Sequence, residues 1–577
     1  MVRFCKMMRT ISPDKETNMV LYAKHYGVVP GKDVSKEIND MFASLSVQTE
    51  PVIVILEPGI YHLTADHCPK VTMYISNASV GDSSMYGNQE GDDLHVVPVG
   101  WDLENLQNVT VQGKGAHFVA HGKMTHIFLR HCQHLSVDGV TFSAERPDFH
   151  FVQVQRVSET YVDFALDASD DYQKMNEMYY FAYGDGQEPG SPIYPPRKGW
   201  DCAHCYDVKN ENHYIRTIHP LRNATSFENI ADHVFRATYA STEMFEVGQR
   251  YGLYHCGRRY NGIVIDGCLD ITLRCMTQHF NYGLAVVAQD TEQITITACT
   301  FAPNDDSMIK TASCADFIQL SMCKGQIDVT DNYFCGAGDD VLNVHGIHFI
   351  VDQVTDNVLQ LSFAHSETYG FCPLHVGDTV EYVDRETLLA TGQGVIRSVQ
   401  LTDLYHLLVE VDDANGAVAG CALEDTIMCP NLYFARNTMT RIVTRGLLIT
   451  TRGKVVVEDN DFLDLTMDSI LVSNDAGKWY ESGPVHDLTI RNNRFDACGE
   501  YYLEVCPENG DHTQPVHRNI RLESNDFTQP RGIYAKCVDG FVVRGNSHPM
   551  PMSDALTMRY VTNAVVESNT VAHDRES

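Results

Sequence analysis

Two adjacent acidic residues, Asp339 and Asp340, stand in the segment GAGDDVLNVHG, and a third, Asp316, precedes them by 23 and 24 residues in SCADFIQL. Carboxyl groups held close together repel as anions, so one keeps its proton as a general acid while its neighbours stay ionised. Breaking a glycosidic bond by acid–base chemistry needs that division of labour. The three meet only if 23 or 24 residues bring the chain back to the same place one layer higher. An acidic doublet after glycine is, by itself, turn chemistry. The aligned Asp316, with Asn343 and His345 just downstream, makes it a candidate site. One geometric condition applies. Successive strand residues point to opposite faces, so Asp339 and Asp340 can share a site only where the strand ends or bulges, as Gly336 and Gly338 would permit. An earlier doublet, Asp305 and Asp306 in PNDDSM, has no comparable company and reads as a turn.

The elements that must position these residues are repeats. Short β-rich runs recur along the chain, each ending in an Asn- or Gly-containing turn: NVTVQGKG from Asn108, HLSVDGVTF from His134, QITITACTF from Gln293, KVVVEDNDF from Lys454, DLTIRNNRF from Asp487, NIRLESNDF from Asn519 and GFVVRGNSH from Gly540. Several successive starts differ by 21 to 33 residues, and Val, Ile and Leu alternate with polar residues inside each run. Units this short cannot bury their own apolar faces and must stack. They lack a helical period, and a propeller blade of about 40–50 residues is too long. The fold class expected is all-β: a right-handed parallel β-helix with small inserted β-barrel-like domains, its coils stacked about 4.8 Å apart. Asn332, Asn460, Asn493 and Asn525 follow strands and are expected as structural ladder residues. Cys275, Cys299 and Cys323, spaced 24 and 24, are expected as an inward ladder of small buried fillers.

Two stretches break the repeat. Residues 157–255 are rich in Tyr, Asp, His, Pro and Gly and read as a β-rich insertion. Residues 349–425 carry VLQLSF, DTVEYVD, GQGVIRSVQ and HLLVEVDD, which look antiparallel, like a small barrel. The expected organisation is therefore 1–156 for the N-terminal cap and first coils, 157–255 inserted, 256–348 central coils with the carboxylates, 349–425 barrel, and 426–577 the C-terminal coils. HYGVVPGKDVSKEINDMF should end in a helix covering the first core layer, with Asp33 or Ser35 as its N-cap.

The chain has 577 residues with a formal net charge of -33, from 76 acidic against 43 basic side chains. Nucleic acid and anionic membranes are poor partners for such a surface. A polyanionic substrate such as pectin would need a local basic patch, whereas a neutral sugar would not. The opening MVRFCKMMRTISPDKETNMV has no uninterrupted apolar core, so no signal peptide is expected, and no apolar run reaches 18 residues. The 18 scattered cysteines read as free thiols in a reducing, cytoplasmic setting, or a secreted one if a leader was removed. Cys202 and Cys205 form an isolated CxxC, weak as a zinc signal, and no metal is expected.

Over most of its length the chain resembles glycoside hydrolase family 110, β-helix enzymes acting on blood group B-type and related α-1,3-galactosides. GDDVLNVHG is the most specific segment. YHLTADHCPKVTMYISN and LENLQNVTVQGKGAHFVAHGKM resemble the N-terminal coils, and SETYGF and HVGDTVEYV the barrel. TRGLLITTRGKVVVEDNDF, WYESGPVHDLTIRNNRF and QPRGIYAKCVDGFVVRGN resemble the C-terminal coils, while 157–255 departs most. The resemblance implies an exo-acting, inverting hydrolase without cofactor, with Asp339 as general acid and Asp316 and Asp340 activating water. It implies a glycan ending in α-galactose as partner, gripped by Asn343, His345, Arg445, Glu481, Tyr534 and Lys536. Because the carboxylates come from different coils, a gap of about 6.5–9.5 Å is expected between them. Oligomeric state stays open, a homodimer being allowed. The competing readings are a polygalacturonase-like hydrolase or lyase of acidic polysaccharide, which GHG and RIK strings absent here would mark, and a non-catalytic carbohydrate-binding β-helix.

Overall fold

The computed structural model describes residues 19–78, 95–147, 149–166, 172–175, 178–181, 192–194, 202–206, 214–254, 258–304 and 310–572. The short runs with alternating apolar residues become parallel strands, and each coil contributes one strand to each of three faces. A 13-stranded sheet runs from Met19–Tyr22 to Val565–Glu567, and a 12-stranded sheet from Gly59–Thr64 to Thr570–Val571. The third face runs from Val96–Glu104 to Leu556–Arg559. Inward residues stack like on like. Phe301 lies on Phe334 at 5.2 Å between ring centres, and Phe462, Phe495 and Phe527 follow at 4.6 and 5.1 Å. One continuous core results, as a solenoid requires.

The turn from the first face to the second is built the same way in every later coil. A residue at positive φ (Asp331, Arg436, Asp459, Asn492, Ser524, Gly545, Ser568) is followed by a buried or half-buried asparagine. Asn332, Asn437, Asn460, Asn493, Asn525, Asn546 and Asn569 form an unbroken ladder. Each member's backbone N–H and Nδ2 donate to the next member's Oδ1 at 2.8–3.1 Å. The expected cysteine ladder is not there. Cys275 occupies the positive-φ position, which turns its side chain outward, and it is exposed. Met276, one residue later, holds the place equivalent to Cys299, which lies beside Asn332. Cys323 belongs to a different corner, after the third-face strand Ile318–Ser321. Equal spacing misled because coil lengths vary.

Helix Ser35–Leu45 covers the first coil with Ile38, Met41, Phe42 and Leu45, and Phe42 packs 5.4 Å from Trp101. Its N-cap residue is Val34 rather than Asp33 or Ser35. The Asp33 carboxylate still accepts the Ser35 N–H at 3.0 Å from one position earlier. Strand Leu342–Thr355 begins on the third face and continues outward as the first strand of a closed six-stranded antiparallel barrel with its own core. The other insertion forms a seven-stranded antiparallel sheet, whose Phe151 packs on Val443 of the β-helix. Cys202 and Cys205 both fall on its strand Cys202–Tyr206. Cys205 is buried in that sheet's core. Asp305 and Asp306 lie outside the described residues. Among the described residues no helix is long and apolar enough to cross a membrane.

Candidate active site

Asp316 and the Asp339–Asp340 pair occupy successive turns leading onto the third face. Strand Ile318–Ser321 pairs with Leu342–Thr355 at an offset of 24, Ile318 opposite Leu342. That offset sets Asp316 beside Asp340, whose backbone N–H donates to Asp316 Oδ1 at 3.0 Å. Neither member of the doublet is yet in the strand, which begins at Leu342, so both can face the site. The preceding glycines allow the turn to pack this tightly. A Cβ on Gly338 would lie 2.6 Å from the Cys314 backbone, and one on Gly336, at φ +79, would lie 2.2 Å from the Lys310 carbonyl oxygen. One carboxylate oxygen from each of the three aspartates lies within 4.8 Å of the others. The wide gap expected between coils is therefore absent, because neighbouring coils stand only one strand spacing apart.

Two guanidinium groups offset this negative charge. Arg445, from the next coil, donates its backbone N–H and Nε to Asp340 Oδ1 at 3.1 and 3.0 Å. Arg258, following the first insertion, donates Nη2 to Asp339 Oδ2 at 3.2 Å. Asp316 and Asp340 are only 4% and 2% exposed, while the Asp339 side chain is 22% exposed and faces outward. Burial pushes Asp316 well above the usual carboxylate range, and the neighbouring Asp339 charge pushes it further, against Arg258. Burial also raises Asp340, with Arg445 opposing. The trio thus keeps a proton where an exposed carboxylate would have lost it.

Beside the trio lies a second polar cluster. Glu481 Oε1 accepts from Asn343 Nδ2 and Asn77 Nδ2, both at 3.0 Å, and lies 3.7 Å from His345 Nε2. His345 is oriented by its Nδ1–H, which donates to the Gly346 carbonyl at 2.8 Å. The barrel supplies another wall: Thr368 Oγ1 donates to Asn77 Oδ1 at 2.8 Å, and Glu367 lies 3.9 Å from Arg258. His365 stacks on Trp479 at 4.7 Å, and both line the cleft with Asn77, His345 and Tyr480.

Comparison with known proteins gives the chain's family. Residues 358–416, within the barrel, match the family described as GLAA-B beta-barrel domain II. The chain is 31% identical over 529 residues to alpha-1,3-galactosidase A of Bacteroides thetaiotaomicron, covering 89% of each chain. It belongs to glycoside hydrolase family 110. Alpha-1,3-galactosidase B of Phocaeicola vulgatus is 25% identical over 568 residues, 91% of this chain and 89% of that one. An exopolygalacturonase from Thermotoga maritima aligns at a TM-score of 0.37 and 10% identity over 96% of this chain and 90% of that one, a likeness too low to carry an argument. As a family 110 member the chain is a glycoside hydrolase.

Of the residues singled out by sequence in this family 110 chain, Asp316, Asp339, Asp340 and Arg445 form one cluster, and Asn343, His345 and Glu481 form the adjoining one. Tyr534 and Lys536 are not brought in. Tyr534 stands four strands beyond Asn343 in the same outer column, about 19 Å away. Lys536 donates to Asn509 Oδ1 at 2.8 Å, well along the helix. Arg258, Asn77, His365, Glu367 and Trp479 escaped sequence reasoning. Asn77, Glu367 and Trp479 lie inside family-like segments, a usable signal. Arg258, in CGRRY beyond the most divergent stretch, carried none.

Proposed function

We propose that this chain is an exo-acting hydrolase that releases terminal α-1,3-linked galactose, from blood group B-type or linear glycans, with inversion of configuration. The observation that carries the reading is the aspartate trio, two of its members buried and the third half-buried, balanced by two guanidinium groups, in a chain so similar to proteins named alpha-1,3-galactosidase. By the family resemblance Asp339, the most exposed member, is the general acid, passing the proton that the trio retains to the glycosidic oxygen. Asp316 and Asp340 hold and deprotonate the attacking water, Asp340 fixed in place by Arg445. Because the trio is compact, the sugar lies across it rather than between its members, and inversion follows from the family resemblance. Asn343, His345 and Glu481 offer donors and acceptors for sugar hydroxyls; Asn343 Oδ1 is buried with no hydrogen-bond partner among the described residues. Arg258 and Arg445 already neutralise much of the trio's charge, so no cation is required for the carboxylates to coexist.

The test is incubation with a branched blood group B trisaccharide, linear α-1,3-galactobiose and polygalacturonate, each with and without EDTA. NMR should show β-galactose before mutarotation, no product from polygalacturonate, and no effect of the chelator. Uronic acid products would overturn the substrate class. α-Galactose appearing first would overturn the stereochemistry. Loss of activity in EDTA restored by calcium or zinc would overturn the metal-free site.

A further inference from the structure

We infer that Trp479 is the stacking platform for the terminal sugar ring in the subsite that holds the residue to be released. This rests on the proposed function and adds the group that gives the pocket its orientation. Trp479 is 47% exposed, although burying an indole is among the larger gains open to a side chain. It is also held rigidly. The Asp475 carboxylate accepts the backbone N–H groups of Gly477 at 2.7 Å, Lys478 at 3.0 Å and Trp479 at 2.6 Å, which closes the turn around one acceptor. His365 stacks on the indole with an interplanar angle of 28° and is kept neutral by burial. A rigid, backed and half-open aromatic ring is what an apolar sugar face needs as a partner, because little conformational entropy remains to be lost on binding.

Its neighbours fix which sugar position it serves. The Arg258 guanidinium lies 5.9 Å from the indole centre and donates to Asp339 at 3.2 Å, so one side chain spans the distance from platform to proposed acid. Two residues after Trp479, Glu481 leads the polar cluster with Asn77 and Asn343. A pyranose on Trp479 would have its hydroxyl edge toward that cluster and its anomeric end toward the aspartates. Galactose suits this arrangement: its axial 4-hydroxyl leaves the C–H bonds at C3, C4 and C5 together on the opposite face.

The experiment uses the full chain and the variants Trp479→Ala and Trp479→Phe. Free galactose, glucose and N-acetylgalactosamine are titrated while tryptophan fluorescence is recorded. The chain has three tryptophans; Trp101 is fully buried and Trp200 lies outside the described residues, so the signal missing from Trp479→Phe isolates Trp479. Galactose should shift the wild-type emission and leave Trp479→Phe unchanged. Trp479→Ala should lower kcat/KM by about tenfold or more, equally for p-nitrophenyl α-galactoside and α-1,3-galactobiose, and Trp479→Phe should recover most of it. An unshifted wild-type spectrum with every sugar, or a loss confined to the disaccharide, would overturn the platform or move it to the neighbouring subsite. If no α-galactoside is cleaved, the proposed function fails, yet a Trp479-dependent shift with any of the three sugars would still support the platform.

Discussion

At the scale of single residues, the trio is a place where burial of carboxyl groups costs stability. Asp316 is buried beside two other carboxyl groups, and its folded-state pKa lies above the ordinary value near 3.8. The folded state therefore binds the proton more tightly than the unfolded state. This penalty is absent below the ordinary value and grows as pH rises toward the folded pKa. Asp316→Asn keeps an oxygen to accept the Asp340 N–H but removes the charge. The variant should melt higher than wild type at pH 7, with the difference shrinking as pH falls toward 4. Its turnover should drop by roughly 10²–10⁴-fold. Parallel melting curves and rate measurements check both, and a variant that is less stable at neutral pH would show that Asp316 is mainly a structural acceptor. The aspartates themselves were legible because their 23- and 24-residue spacing matches one coil. Arg258 was not, since its approach to Asp339 depends on where a long insertion returns the chain.

At the scale of elements, the asparagine ladder holds the corner between two faces. Asn332 Oδ1 accepts the Cys299 N–H at 2.8 Å, and its Nδ2 donates to the Ile296 carbonyl at 3.0 Å, both in the preceding coil. Asn332→Ala would strand these buried backbone groups, at a cost of about 2–4 kcal/mol. Urea unfolding should show that loss with kcat nearly unchanged, because the ladder runs along a corner away from the aspartates. A fall in kcat with stability intact would contradict the structural role. Asn332, Asn460, Asn493 and Asn525 stood out in sequence because each follows a strand of clear alternation. Asn437, Asn546 and Asn569 belong to the same ladder. The cysteines misled because a one-residue difference in phase separates the outward positive-φ position of Cys275 from the inward position of Cys299.

At the scale of the whole molecule, the barrel must be docked for the site to exist, since its segment 363–371 carries His365, Glu367 and Thr368 to the cleft. Arg452, just after third-face strand Leu447–Thr450, makes that joint. Its Nη2 donates to Glu381 at 2.6 Å and Glu424 at 2.7 Å, and its Nε to Glu424 at 2.8 Å, both acids lying on barrel strands. Glu424 is 1% exposed, so Arg452→Met leaves a buried charge unpaired, at a cost of about 3–5 kcal/mol. Melting temperature should fall, and kcat/KM should fall with it as the barrel wall loosens. Normal kcat/KM in a folded Arg452→Met variant would show that the barrel does not hold the cleft.

The sequence by itself determined the solenoid, since period-two strands too short to bury their own faces have no other way to make a core. It also determined the carboxylate trio, because residues one coil apart must meet wherever coils stack in register. Only the tertiary structure decided what surrounds the trio. Asn77, Arg258, His365 and Trp479 come from loops and insertions scattered along the chain, and nothing in their local spacing records that they converge. The structure also set the trio's compactness, because coil separation is fixed by backbone hydrogen bonding and not by the number of residues between the aspartates. It placed Tyr534 and Lys536 well along the helix from the site, a distance that counts coils, which a linear motif does not reveal.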